Sequence, residues 1–186
     1  DAEALKYVGA VAFHSWGGAT PQQYAAWGDL ARWLNLPLLV TELGVDSSAY
    51  ETNVWDTYHY GLREAQFTQE ILLYAKPQGT QFWQYTDDYA LARLRPDGSV
   101  EPTARFWLMK HFTDLTPAAS QALPASSDQS TVWATAFGKG KAYAVHILNR
   151  AGARQATASA MGEFEDVDPI CVCHGVISRL ELAWRT

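Results

Sequence analysis

Three short apolar segments alternate with segments of helical periodicity along the first two-thirds of the chain. The apolar segments are VGAVAF (residues 8–13), LPLLVT (36–41) and TQFWQY (80–85). Strands of this composition are typical of a parallel sheet that is covered by helices. The pattern therefore predicts three parallel strands.

Helices are predicted between and after these strands. Thr20 precedes PQQYAAWGDLARWLN, which begins with Pro21 and whose apolar residues recur at helical spacing until Asn35. Thr as N-cap and Pro at the first helical position are standard helix-start signals. Residues 61–75 and 101–115 predict two further helices, and residues 1–6 read as the remnant of an earlier one. The order predicts an α/β fold, and three strand–helix units are too few to close an eight-stranded barrel.

The pattern changes after Thr116 and Pro117. Residues 118–130 are small and polar, and two alternating segments, VWATAFG and KAYAVHILN, then flank a Gly-Lys-Gly turn, which predicts a hairpin. HGVISRLEL, residues 174–182, reads as another hairpin arm. We therefore divide the chain into an α/β part, residues 1–117, and a small antiparallel β domain, residues 118–186.

Composition excludes several function classes. The net charge is −6 with dispersed charges, and the sequence contains no Lys/Arg cluster of the kind that binds nucleic acid. Apolar runs are too short to span a bilayer, and no nucleotide-binding fingerprint is present. The first residues, DAEALKYVGA, read as the middle of a longer sequence. Secretion is not indicated by the sequence, and the oligomeric state stays open.

Cysteine usage gives weak evidence for metal binding. Cys171, Cys173 and His174 form CVCH, which would be half of a zinc site at best. No second ligand pair occurs at usable spacing. We therefore predict no metal and no cofactor.

Polar and aromatic side chains stand where the three predicted strands end. They are His14 and Trp16 after the first strand, Glu42 after the second, and Trp83 and Tyr85 in the third. Because the carboxyl ends of parallel strands meet at one edge, we expect these side chains to converge. A carboxylate nucleophile, a hydrogen-bond donor beside it and a flat aromatic wall suit glycoside hydrolysis.

Aromatic residues make up 13% of the chain, and several fall in predicted loops, among them Trp55. Such rings can stack on the apolar faces of sugars, so Trp55 joins the candidate substrate-binding residues. The alternatives are that these rings pack under the loops and that Glu42 is an ordinary solvated carboxylate.

The motifs TELG, with Glu42, and FWQY, with Trp83, resemble the clan A glycoside hydrolases, which are retaining (β/α)8-barrel enzymes. The resemblance covers nearly the whole chain, with its strands as barrel strands six to eight and its tail as a C-terminal β-sandwich. It implies that Glu42 is the nucleophile and that Trp83 lines the subsite where the bond breaks. His14 loosely matches a residue that bonds the nucleophile.

The sequence lacks one feature of that family, its acid/base motif. The family's acid/base glutamate stands in an Asn-Glu pair at the end of strand four, and no Asn-Glu dipeptide occurs here. Retaining chemistry needs two carboxyl groups about 5–5.5 Å apart. Asp87 and Asp88 follow the third strand, but loop carboxylates more often cap turns or bond a sugar hydroxyl. We therefore expect a fragment of a longer enzyme that is inactive by itself.

Two other functions stay open from the sequence. One is a carbohydrate-binding or structural module in which Glu42 is incidental, and the other is a barrel hydrolase or lyase that uses one carboxylate as a base. The expected partner is a carbohydrate. An extracellular or periplasmic location would suit the whole enzyme.

Overall fold

The computed structural model describes residues 1–152, 154–161, 166–173 and 177–185. Two compact units divide the chain, Asp1–Trp107 and Leu108–Thr186. No helix in the described ranges is long and apolar enough to cross a membrane.

The first unit contains a three-stranded parallel sheet. Its strands are β1 (Val11–Trp16), β2 (Leu38–Gly44) and β3 (Gly79–Phe82), and they lie in chain order. The prediction of consecutive parallel strands is confirmed. The boundaries differ, because β1 and β2 each end three residues beyond their apolar segments while β3 ends at Phe82, before the predicted end at residue 85. His14, Trp16 and Glu42 therefore lie within strands, and Trp83 and Tyr85 follow one.

Helices connect and flank these strands. They are α1 (Ala2–Leu5), α2 (Pro21–Leu34), α3 (Tyr58–Tyr74) and α4 (Ala104–Thr113). The predicted bounds of α2 are confirmed. Thr20 and Gln23 form a reciprocal capping box at its start, and Asn35 adopts the left-handed conformation, φ 52°, just past its end.

The helix predicted over 101–115 is shorter in the structure. Residues Val100–Pro102 form β5, which pairs antiparallel with β4 (Ala92–Leu94) across the turn at Asp97 and Gly98. Thr103 follows β5 directly, and its Oγ1 accepts from the backbone N–H of Phe106, so α4 starts at Ala104. The turn predicted at 95–99 is confirmed.

The core of this unit surrounds β2. Leu38, Val40 and Leu43 are at most 1% exposed and pack with residues of α2 and α3, among them Tyr24 and Ile71. Each such side chain stabilises the fold by about 1.5–3 kcal/mol through burial. This packing fixes the strand whose carboxyl end carries Glu42.

The second unit is rich in strands. They are β6 (Gln121–Leu123), β7 (Val132–Lys139), β8 (Ala142–Asn149), β9 (Arg154–Met161), β10 (Asp166–Cys173) and β11 (Ile177–Arg185). The predicted hairpin is confirmed as the antiparallel pair β7–β8, and β6 also pairs antiparallel with β7.

The expectation of a wholly antiparallel domain is wrong. Strand β10 pairs parallel with β8, and β11 pairs parallel with β9, so residues 177–182 are not a hairpin arm. Alternation in a sequence shows which face of a strand is buried but not the direction of its partner. His174, from the CVCH segment, lies outside the described residues.

Candidate functional site

Pairing between β1 and β2 brings His14 opposite Glu42. The register runs Phe13 to Val40 and then His14 to Glu42, so β2 carries one extra residue, Thr41, at this point. A bulge of this kind re-aims the side chains beside it. It explains how residues from two strands converge on one carboxylate.

Both oxygens of the Glu42 carboxylate have a partner. The indole Nε1 of Trp16 donates to Oε1 over 2.6 Å, and Nδ1 of His14 lies 3.4 Å from Oε2. The Glu42 side chain is 22% exposed and that of His14 is 59% exposed. Since an indole N–H can only donate, Oε1 of Glu42 is the acceptor in this contact. The carboxylate is thus oriented while it remains accessible.

A cavity of about 340 Å³ opens in front of Glu42. Its lining residues are Trp16, Glu42, Ser47, Tyr50, Trp83, Gln84, Asp88 and Tyr89. Trp83 and Tyr50 are 42% and 49% exposed, so each offers a ring face to solvent. Aromatic walls with a few convergent polar groups are typical of small-molecule sites.

Of the sequence-predicted residues, Glu42, Trp16 and Trp83 line this cavity together. The backbone N–H of Trp83 bonds the carbonyl of Leu43, which places Trp83 beside the end of β2. His14 contacts Glu42 but lines a neighbouring cavity of about 280 Å³ on the β1–α2 side. Tyr85 is exposed, at 62%, and is not among the lining residues of either cavity.

The structure corrects the placement of Trp55. This side chain is only 5% exposed and packs in a cluster with Ala49, Tyr60 and Tyr89. A short 3-10 turn over Val54–Asp56 carries it, and the ring centroids of Trp55 and Tyr89 are 6.1 Å apart. Trp55 therefore belongs to this buried cluster, and its ring does not form part of a sugar-facing surface.

Tyr89 was missed as a site residue by the sequence analysis. Its hydroxyl donates to the carbonyl of Asp46 over 2.7 Å and accepts from the backbone N–H of Tyr50 over 3.2 Å. Burial raises the pKa of the Tyr89 hydroxyl above its usual value, so it stays protonated and can donate. Tyr89 thus joins the loop after β3 to the loop after β2.

The long loop after β2 supplies two further lining residues, Ser47 and Tyr50, and the loop after β3 supplies Gln84 and Asp88. The sequence marks two of these four residues as candidates. Tyr50 stands in an aromatic-rich loop, and Asp88 follows a strand that carries a candidate site residue. Gln84 and Ser47 carry no distinguishing pattern.

An ion pair between Arg105 and Glu64 is buried behind the loop after β3. Both side chains are 0% exposed, and two N–H groups of Arg105 bond the two oxygens of Glu64 over 2.9 and 2.6 Å. Burial raises the pKa of the Glu64 carboxyl, and the Arg105 bonds act in the opposite direction. Arg105 also bonds the carbonyls of Trp83 and Tyr89.

In the part of the chain that the structure describes, no three His, Cys, Asp or Glu side chains are grouped so that they could hold a metal ion. The cavity itself combines the carboxylate of Glu42 with aromatic and amide neighbours.

No protein-family model matches the sequence, and no curated protein matches it either. Solved structures do. A GH30 endoxylanase from Clostridium papyrosolvens C71 aligns with a TM-score of 0.59 and 15% identity, over 76% of this chain and 33% of that one. The catalytic domain of GH30 xylanase C from Talaromyces cellulolyticus aligns at 0.51 and 16%, over 76% and 32%.

A GH39 β-xylosidase from Caulobacter crescentus aligns at a TM-score of 0.51 and 18% identity, over 73% of this chain and 34% of that one. The chain therefore has a mixed α/β fold similar to part of GH30 and GH39 glycoside hydrolases. It spans about a third of the length of the solved structures it matches.

Proposed function

We propose that this chain is part of a retaining glycoside hydrolase in which Glu42 is the nucleophile. The observation that carries the proposal is the carboxylate of Glu42, held at both oxygens by Trp16 and His14 at the wall of an aromatic cavity. The glycoside hydrolase-like fold supports it. A held, accessible carboxylate is what nucleophilic attack on a sugar requires.

The reaction takes two displacements. In the first, a Glu42 oxygen forms a bond to the anomeric carbon while the bond to the leaving-group oxygen breaks, and that oxygen takes a proton from a carboxylic acid. In the second, water attacks the anomeric carbon, gives its proton to the same group and releases Glu42. We propose that the acid/base group lies outside this chain.

The other residues of the site have distinct proposed roles. Trp16 and His14 orient Glu42, and the ring of Trp83 stacks on the apolar face of the sugar. Tyr50, which is half exposed at the same cavity, provides a second aromatic surface. Tyr85 is exposed and lines neither cavity, so its proposed contact is with a longer substrate.

The three parallel strands would form the last part of a (β/α)8 barrel. The chain order β1-β2-β3 supports this, as do the fold neighbours. Trp27 of α2 stacks on Phe13 of β1 with centroids 5.3 Å apart and stays 38% exposed, which suits further units packing beside β1. Barrels of this type collect their catalytic groups at the carboxyl ends of several strands.

The names of the neighbours suggest the first substrates to test. They are an endoxylanase, a xylanase and a β-xylosidase, so β-linked xylosides come first. We propose to express the protein from the complete open reading frame and to incubate it with p-nitrophenyl β-xyloside. Proton NMR of the first-formed sugar would show the β anomer, and Glu42→Gln would lose activity by several orders of magnitude.

Release of the α anomer first, or full activity of Glu42→Gln, would contradict the proposal. The 186-residue chain alone is expected to show no sustained release of p-nitrophenol, because the second displacement needs a base that takes the proton from water. If it turned over the substrate, the acid/base group would have to lie within it, and Asp88 would be the first residue to test.

A second candidate function is carbohydrate binding without cleavage. It is favoured by the exposed rings of Trp83 and Tyr50, and by the fact that Asp88 is the sole other carboxylate among the described residues lining the cavity. Calorimetric titration with xylo-oligosaccharides separates the two functions. Binding that is lost in Trp83→Ala and kept in Glu42→Gln, without any cleavage by the complete protein, would identify a binding module.

A further inference from the structure

We propose that Arg105 is a positioning residue of this site, because its buried guanidinium holds the loop that presents Trp83 and Tyr89 to the cavity. The inference rests on the proposed function for its effect on substrate, but the positioning itself can be measured without substrate.

One guanidinium joins a helix to both ends of this loop. Nε and Nη2 of Arg105 bond the two carboxylate oxygens of Glu64 on α3 over 2.9 and 2.6 Å. Nη2 also donates to the carbonyl of Trp83 over 2.9 Å, and Nη1 donates to the carbonyl of Tyr89. The two carbonyls bracket the segment 83–89, which contributes Trp83, Gln84, Asp88 and Tyr89 to the cavity.

The burial of the pair makes these bonds stronger than surface contacts. Arg105 and Glu64 are both 0% exposed, so the guanidinium N–H groups have no contact with bulk solvent. Charge-assisted bonds in a low-dielectric interior are among the strong ones, and the carboxylate offsets the cost of burying the positive charge. Arg105 can therefore hold two loop carbonyls in fixed places.

Thr103, directly before α4, holds the residues that follow this loop in the chain. The hydroxyl of Thr103 donates to the carbonyls of Ala90 and Leu91 over 3.0 and 2.9 Å. Leu91 also accepts from the backbone N–H of Thr103. Thr103 holds the residues at the end of the loop, whereas Arg105 holds the backbone of Trp83 and Tyr89, two of the loop residues that line the cavity.

A lysine at position 105 cannot make the same hydrogen bonds. Its ammonium is a single point with three donors and lacks the planar fork that reaches a carboxylate and two carbonyls at once. Arg105→Lys keeps a positive charge next to Glu64 but loses the link to at least one carbonyl. The matched control is Arg93→Lys, since Arg93 also pairs with a carboxylate, Asp56, at a partly exposed position.

The first readout is the position of the Trp83 ring. The protein from the complete open reading frame is labelled with 5-fluorotryptophan, and the Trp83 resonance is assigned by Trp83→Phe in fluorine NMR. The Trp83 signal is expected to shift or split in Arg105→Lys and to stay in place in Arg93→Lys. An unchanged Trp83 signal in folded Arg105→Lys would overturn the inference.

The second readout is catalysis. Arg105→Lys is expected to lower kcat/KM for p-nitrophenyl β-xyloside by roughly ten- to a hundredfold, because a ring displaced by about 1 Å misplaces the sugar. Arg93→Lys is expected to keep the wild-type value. A shifted Trp83 signal with unchanged kcat/KM would overturn the role in substrate positioning.

A double variant covers the case in which Arg105→Lys does not fold. Glu64→Met with Arg105→Met replaces the pair by apolar side chains and leaves no unpaired buried charge, so the fold is expected to persist. It removes both carbonyl contacts, and its Trp83 signal must move if the inference holds. If the wild type cleaves no glycoside and binds none, the proposed function fails, while the fluorine spectra still decide the positioning.

Discussion

The indole of Trp16 and the carboxylate of Glu42 are joined by a 2.6 Å hydrogen bond between neighbouring parallel strands. Gly44 makes this contact feasible. It pairs with Trp16 in the register, and a Cβ at position 44 would lie 2.2 Å from Cζ3 of the indole. The glycine in the motif TELG thus provides the space in which the ring reaches back to Glu42.

Gly44→Ala is expected to push the Trp16 ring away and to break its bond to Glu42. Overpacking of this kind costs about 1–3 kcal/mol of folding free energy, which urea denaturation measures. Loss of a hydrogen bond to a charged group should lower kcat/KM of the complete protein by about tenfold or more. Gly9→Ala is the control, because no atom lies within 4 Å of a Cβ there. Normal activity in Gly44→Ala would show that the contact is dispensable.

The buried ion pair makes a prediction about stability. Arg105→Met alone leaves Glu64 buried without its partner, and we expect a loss of about 3–5 kcal/mol in the free energy of unfolding. The double variant Glu64→Met/Arg105→Met should recover most of that loss. Arg93→Met, which breaks a partly exposed pair, should cost under about 1 kcal/mol. Equal losses in the single and double variants would contradict this account.

His146 predicts a pH dependence of stability in the second unit. Its side chain is 1% exposed and stacks on Phe112, with ring centroids 4.9 Å apart. Burial lowers the pKa of His146 from 6.5 to about 4, and the nearby charge of His111 acts in the same direction. The folded state therefore keeps the ring neutral where the unfolded chain binds a proton.

The sign follows from this difference in proton binding. The contribution of His146 to the free energy of unfolding is fully present above about pH 6.5. It is lost progressively as the pH falls toward 4, and the total loss is up to about 3 kcal/mol. Urea midpoints between pH 7.5 and pH 4.5, chosen to bracket this decline, should fall for the wild type and fall less for His146→Gln. His59→Gln, at an exposed position, is the control. Parallel pH profiles for wild type and His146→Gln would exclude His146 as the cause.

Local signals were sufficient to predict some elements from the sequence. Helix α2 was predicted to the residue because Thr20, Pro21 and Asn35 act within one turn of its ends. Strand β2 was predicted because its apolar side chains follow one another without interruption, and this put Glu42 at its carboxyl end.

Features that depend on distant residues could not be predicted in this way. Arg105 and Glu64 stand 41 residues apart, and neither has a neighbourhood that marks it as buried. Trp55 carries the same signal as an exposed loop aromatic, and only its packing with Tyr89 shows that it belongs to the core. The parallel pairing of β10 with β8 likewise depends on a crossover that alternation does not encode.

The measurement that tests the central claim most directly is azide rescue of Glu42→Ala in the protein from the complete open reading frame. With an activated aryl β-xyloside, azide can enter the space left by the carboxylate and attack the anomeric carbon from the face that Glu42 would use. Our account predicts recovered release of the aryl group and an α-xylosyl azide product, because a single displacement inverts the anomeric carbon. A β-xylosyl azide product, or wild-type activity of Glu42→Ala without azide, would show that Glu42 is not the nucleophile.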